Sequence, residues 1–300
     1  MSEEKFRNLI SDPGSYDIVR ILREGPLTDE TIVKYLQKIS KFKEKEAFKK
    51  LKHLTKENII IPFKLKNKDY YLLIKDFYII RIPPKELLTG LQKDKELSKS
   101  LKQQYLSRMK SYFSTYVTSS DKLKSDFEKQ LIQLVINPEI MDLISVLRKK
   151  PLELKTVKKK RPKFNSIKKI LLKNDIIEIM EEDREEWVLL KTDFNFEVFF
   201  PDYLIKNITV KLKEKKINKP LALTSLYVLK RSYLQNEKPE EYEELMQRIN
   251  DKRKLVESLE KKGEKNITKA KELIKLFKAI GDYENIKVWK LKLKQWITEK

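Results

Sequence analysis

The residues in this sequence best suited to chemistry are lysines. The run Lys158-Lys159-Lys160-Arg161-Pro162-Lys163 lies in a stretch, residues 148–173, that holds twelve basic residues against Glu153 alone, with Lys168 and Lys169 among them. Residues 41–56 hold seven Lys against two Glu, including Lys45, Lys49, Lys50 and Lys52. Lys64, Lys66 and Lys68 follow at every second position. Ammonium groups at this density neutralise phosphates and release counterions, so they point to electrostatic binding of a nucleic-acid backbone. Only 11 of the 67 basic residues are Arg, the better reader of base edges and phosphate forks. The competing reading of the net charge of +22 is a solvated lysine-rich surface, as an AT-rich genome or growth at high temperature produces.

Other chemistries find few residues. The chain has no Cys, which excludes thiolate zinc, iron–sulfur and cysteine-nucleophile sites, and a single His, which excludes a multi-histidine metal site. Five Gly in 300 residues include neither GxGxxG nor GxxxxGK[ST]. Glu181 and Glu185 could be a carboxylate pair, but on an exposed hairpin nothing raises a pKa, and they read as solvated charge. Catalytic, cofactor-binding and metal-ligating residues are therefore expected to be none, and the chain is read as a non-enzyme. His53 falls on a helical pattern as a surface residue without chemistry.

An internal repeat supplies the elements that must position the lysines. Residues Asp17 to Leu27 reappear as Asp142 to Leu152, each a short apolar helix closed by proline after a turn. Leu54-Thr55-Lys56-Glu57-Asn58-Ile59-Ile60 answers Leu171-Leu172-Lys173-Asn174-Asp175-Ile176-Ile177, and Tyr71 to Phe77 answers Val188 to Phe194. The grammar is helix, turn, helix, helix, strand, charged tip, strand. In the first copy Tyr16 to Arg23 forms helix one, and Thr28 caps helix two with Ile32, Val33 and Leu36 inward. Helix three runs from Lys43 to Lys56 with Ala47, Phe48, Leu51 and Leu54 inward. Strands follow at Ile59 to Phe63 and Tyr70 to Ile74 around the tip 64–69. In the second copy Asn165 or Ser166 is expected to cap helix three, with Lys158 to Lys163 on the turn entering it.

Three helices followed by a two-stranded wing resemble the winged-helix fold, of an archaeal-type helix-turn-helix kind, over residues 15–84 and 140–204. A four-helix arrangement without wings is the structural alternative. Between the copies Leu97, Leu101, Tyr105, Met109, Tyr112, Phe113 and Tyr116 form a helical stripe that either packs on the wings or makes a homodimer or partner-binding surface. A break at 118–121 starts a second helix to Ile136. Beyond residue 219 the pattern is all helix, and Gly281 to Trp289 resembles the turn and second helix of a tetratricopeptide-type hairpin. The expected class is mainly α with small β wings, in four parts. These are a first winged-helix domain at 1–84, a helical linker at 85–139, a second winged-helix domain at 140–210 and a C-terminal helical hairpin domain at 211–300.

The charge is unevenly spread. Residues 211–300 carry 24 basic against 14 acidic residues, and the second wing tip, 181–186, is acidic. An acidic tip repels a phosphate backbone. Two readings follow. In the first, the protein is a DNA-binding transcription or chromatin factor whose third helices and first wing contact double-stranded DNA. In the second it is a protein-interaction scaffold, docking a partner through the acidic wing or the helical tail. Tandem winged helices are similar to those of ESCRT-II subunits, RNA polymerase III subunits and scaffolds of ubiquitin-like-modifier ligases, a resemblance that implies such a role. No run of about 18 apolar residues spans a membrane and the start lacks a leader pattern, so a cytoplasmic location is expected.

Overall fold

A computed structural model describes residues 3–93, 98–119, 131–132, 134–182 and 184–299. Helices dominate, with three small sheets among the described residues. The chain divides into two compact units. One, here the tail unit, comprises Asp12–Asp76 and Phe199–Lys300; the other, the linker unit, comprises Met1–Ser11 and Phe77–Val198.

The tail unit begins with α2 (Pro13–Leu22), where Asp12 caps the Ser15 amide at 2.8 Å and Pro13 occupies the first turn. Gly25, at φ +128°, turns the chain into β1 (Leu27–Thr28), and the Thr28 hydroxyl caps α3 (Asp29–Ser40) through the Thr31 amide at 3.2 Å. In α4 (Glu44–Lys56) the Glu46 carboxylate accepts the Lys43 amide at 2.9 Å. Asn58 takes a left-handed conformation after α4, letting the Ile59 amide reach the Leu54 carbonyl at 3.0 Å. A hairpin follows, β2 (Ile60–Leu65) and β3 (Lys68–Leu73), closed by Lys66 and Asn67 at positive φ as a two-residue turn demands. Strand order is β1-β3-β2. Ile18, Leu22, Ile32, Leu36, Leu51, Leu54 and Leu72 are fully buried between helices and sheet, each contributing about 2 kcal/mol of transfer free energy.

The linker unit contains a segment with the same element order: α7 (Pro138–Leu147), β5 (Leu152–Glu153), α8 (Leu154–Lys160), α9 (Phe164–Lys173), β6 (Ile177–Glu182) and β7 (Glu185–Leu190). Its sheet order, β5-β7-β6, matches the first. Asp175 is left-handed where Asn58 is, and the Ile176 amide reaches the Leu171 carbonyl at 2.9 Å. Three elements lie outside the repeated unit. Strands β4 (Asp76–Ile82) and β8 (Asp193–Phe199) form a two-stranded sheet, and α1 (Glu3–Ile10), part of a start that reads as polar, buries Phe6 and Ile10 completely. Phe6 meets Phe77 and Phe196 at ring-centroid distances of 5.8 and 6.2 Å.

After α5 (Lys85–Lys93), α6 (Lys99–Ser119) carries the linker stripe, and it packs on the second hairpin. Leu101, Tyr105 and Met109 are buried, the Tyr105 hydroxyl donates to the Leu190 carbonyl, and Arg108 pairs with Glu178 at 2.5 Å. Burial pushes the Tyr105 hydroxyl pKa up, so it stays a donor. Leu97 and most of the expected helix 121–136 lie outside the described residues.

The rest of the tail unit is helical: α10 (Tyr203–Lys213), α11 (Lys219–Glu237), α12 (Pro239–Lys261), α13 (Ile267–Ile280) and α14 (Tyr283–Thr298). Phe277, Ile280, Ile286, Trp289 and Trp296 knit the last four together. Gly281 is required between α13 and α14, because it has φ +79° and a Cβ there would lie 2.3 Å from the Tyr227 carbonyl.

Candidate nucleic-acid interface

Helix α4 is amphipathic: its inward face is apolar, and its exposed residues are Lys45, Lys49, Lys52 and Lys56 together with Glu44, Glu46 and His53. Ala47, Leu51 and Leu54 are buried, while Lys45, Lys49, Lys52 and Lys56 are exposed at spacings of three and four. None of these four lysines has an ion-pair partner among the described residues. Lys50 points the other way and pairs with Asp12 at 2.5 Å, over the Phe42 ring. Burial of Asp12 favours its neutral form, but hydrogen bonds from Lys50 and Ser15 outweigh this and leave its pKa below the usual value. On the first hairpin, Lys66 and Lys68 are exposed at the tip, and Lys64 faces Asp69 across the strands at 3.8 Å.

Phe48 is not the core residue that helical spacing suggests. It is half-buried and forms part of a surface groove of about 410 Å³ walled by Glu44, Lys45, Lys49 and Lys52. The wheel carries the reason: Ala47, Leu51 and Leu54 already define the inward stripe, and Phe48 shares its turn face with Glu44 and Lys52, one turn to either side. His53 is exposed, with Glu57 4.0 Å away.

The corresponding helix of the linker unit differs. Lys158, Lys159 and Lys160 lie in the last turn of α8, not on the turn entering α9, and all three are exposed beside the negative end of that helix. Arg161 pairs with Asp142 at 2.6 Å and Lys163 with Glu139 at 2.7 Å, so both are engaged within the protein. Glu139 raises the Lys163 pKa further. Neither Asn165 nor Ser166 caps α9. The helix starts at Phe164, whose ring is fully buried and draws the first turn forward, and the Ser166 hydroxyl and amide both donate to the Lys163 carbonyl. On α9, Lys168 is half-buried and Lys169 exposed, next to exposed Ile170 and Leu172 at 45% and 38%.

The second hairpin sets Glu181 opposite Glu186 and Glu182 opposite Glu185. Glu181 and Glu185 thus fall on opposite faces of the hairpin and are no carboxylate pair. Directly opposed like charges destabilise a ladder. Lys155 offsets one of them through Glu185 at 2.8 Å, and Ser98 donates to Glu182.

Two ion pairs join the corresponding positions of both segments. Arg23 grips Asp76 through Nε and Nη2 at 3.0 and 2.9 Å, and Arg148 grips Asp193 at 2.9 and 2.7 Å. Both Arg follow helix one and both Asp open the strand after the wing. The repeat itself held the signal, since all four residues lie in the matching stretches. Among the described residues no group of three or more His, Asp and Glu could hold a metal, and no helix is long and apolar enough to cross a membrane.

Compared with protein-family models, curated proteins and solved structures, the chain matches none.

Proposed function

We propose that this protein is a non-enzymatic tandem winged-helix DNA-binding factor of transcription or chromatin type. In this reading each helix–strand–helix–helix–hairpin segment is a winged helix, and the last helices are a tetratricopeptide-like platform. Helix α4 approaches double-stranded DNA, with Lys45, Lys49 and Lys52 on phosphates and the wing residues Lys66 and Lys68 on the flanking backbone. The observation that carries it is the α4 face: lysines three and four residues apart, exposed and with no ion-pair partner among the described residues. A titration of random duplex DNA by fluorescence anisotropy at several salt concentrations tests it. A steep fall of log affinity against log salt is expected, and flat, weak binding at about 0.1 M salt overturns it.

The linker-unit segment favours a different use. Arg161 and Lys163 are spent on internal pairs, the wing is acidic, and α9 exposes Ile170 and Leu172. We propose that this segment docks a protein partner while α4 holds the nucleic acid. Pull-down with Ile170→Ser and Glu186→Lys variants tests this. Recovery of a partner by the wild type alone supports docking, and equal recovery by all three proteins overturns it.

A further inference from the structure

Resting on the DNA-binding reading above, we infer that Phe48 discriminates bases, by packing its ring on the C5-methyl group of thymine in the major groove. Helix α4 reads Glu-Lys-Glu-Ala-Phe-Lys-Lys-Leu-Lys-His-Leu-Thr-Lys; of the side chains that make bidentate contacts to guanine and adenine it offers lysine alone, with no Arg, Asn or Gln. Lysine neutralises phosphates as a hydrated point charge and can reach guanine O6 and N7, but it offers nothing to a thymine methyl. On this face Phe48 is the apolar side chain, so a base distinguished without a hydrogen bond is distinguished by its ring.

The placement suits that task. The ring sits between Lys45, Lys49 and Lys52, so phosphates held by these ammonium groups bring the base edges over it. The groove of about 410 Å³ is an open surface feature, and the major groove is wide enough to admit a helix with such side chains. An aromatic ring there has no hydrogen bond to offer, and the one apolar group that the major-groove edge of a base pair presents is the thymine methyl. Glu44, on the same rim, carries the wrong sign for a phosphate and could accept only from a donor such as cytosine N4. His53 stands five residues on from Phe48, more than a third of a turn around the helix.

The test compares two short duplexes of alternating sequence, one of A and T, the other with uracil replacing every thymine. Uracil keeps all hydrogen-bonding groups and lacks only the methyl. Wild-type protein is expected to bind the thymine duplex more tightly, by about fourfold for each methyl contacted. Phe48→Ala is expected to bind both equally, at the affinity wild type shows for the uracil duplex, with its salt dependence intact. Phe48→Leu, which restores apolar surface, is expected to recover part of the preference. Because each preference is a ratio within one protein, partial unfolding of a variant cancels. Equal affinity of wild type for the two duplexes overturns the inference while leaving the DNA-binding reading in place, provided binding stays steeply salt-dependent. Retention of the full preference by Phe48→Ala also overturns it. Absence of salt-dependent binding to either duplex sinks the DNA-binding reading and the inference with it.

Discussion

The segments 13–73 and 138–190 are the same frame with opposite surfaces. Both run helix, short strand, helix, helix and hairpin with the middle strand last, and both lock helix one to the following strand by an arginine–aspartate fork. Their inward residues correspond: Leu22 with Leu147, Leu54 with Leu171, Ile59 with Ile176, Leu72 with Leu189, all buried. Outward they diverge. Lys52 and His53 on α4 align with Lys169 and Ile170 on α9, and a hairpin with three lysines stands against one with four glutamates. Packing constrains the inner face to a few shapes, whereas the outer face is free to take whatever charge a partner requires.

Four measurements put this contrast to the test. The largest effect is expected at the forks. Asp76 is only 3% exposed, so Arg23→Ala leaves a nearly buried carboxylate short of its partner and should cost about 3 kcal/mol in chemical denaturation. The side chains of the second fork are 31% and 14% exposed, and Arg148→Ala should cost about 1.5 kcal/mol. Equal losses would mean that the two frames are held alike.

Next comes binding. Replacing Lys45, Lys49 and Lys52 by Glu should reduce the slope of log affinity against log salt by about 3, one unit for each lost phosphate contact. The same change at Lys158, Lys159 and Lys160 should leave the slope within about 1 of wild type. The reverse order would transfer DNA binding to the linker unit.

Smaller still, Glu186→Gln removes one like-charge pair from the acidic wing and should stabilise the protein by about 0.5 kcal/mol, seen as a raised melting temperature. A loss of stability instead would show that the Glu181–Glu186 pair has a cationic partner.

The least effect concerns acid. Because the folded Asp12 carboxyl titrates below its unfolded value, its contribution is complete above the ordinary carboxylate pKa and is lost as pH falls through the lowered one. Asp12→Asn should therefore flatten the acid side of the stability curve, and an unchanged curve would show that the Lys50 contact does not form in solution.

Much of the frame was legible in the chain. Gly25-Pro26, Thr28 and the left-handed Asn58 mark boundaries because their conformational preferences are local. The lysines were legible as charge. Their availability was not, because Asp142 and Glu139 sit 19 and 24 residues from the cations they engage, and only folding brings them together. Helical spacing admits Phe48 to the edge of the apolar stripe, and the neighbouring packing leaves it half-buried.

Sequence alone determined the repeat, the helical character, the absence of cysteine chemistry and the lysine excess, since composition and short-range periodicity are properties of the chain itself. Tertiary structure alone decided which lysines remain unengaged, that β4 pairs with β8, and that Phe6 closes an aromatic cluster with Phe77 and Phe196. Those outcomes depend on groups up to 190 residues apart in Phe6 and Phe196, and no local preference encodes such a meeting.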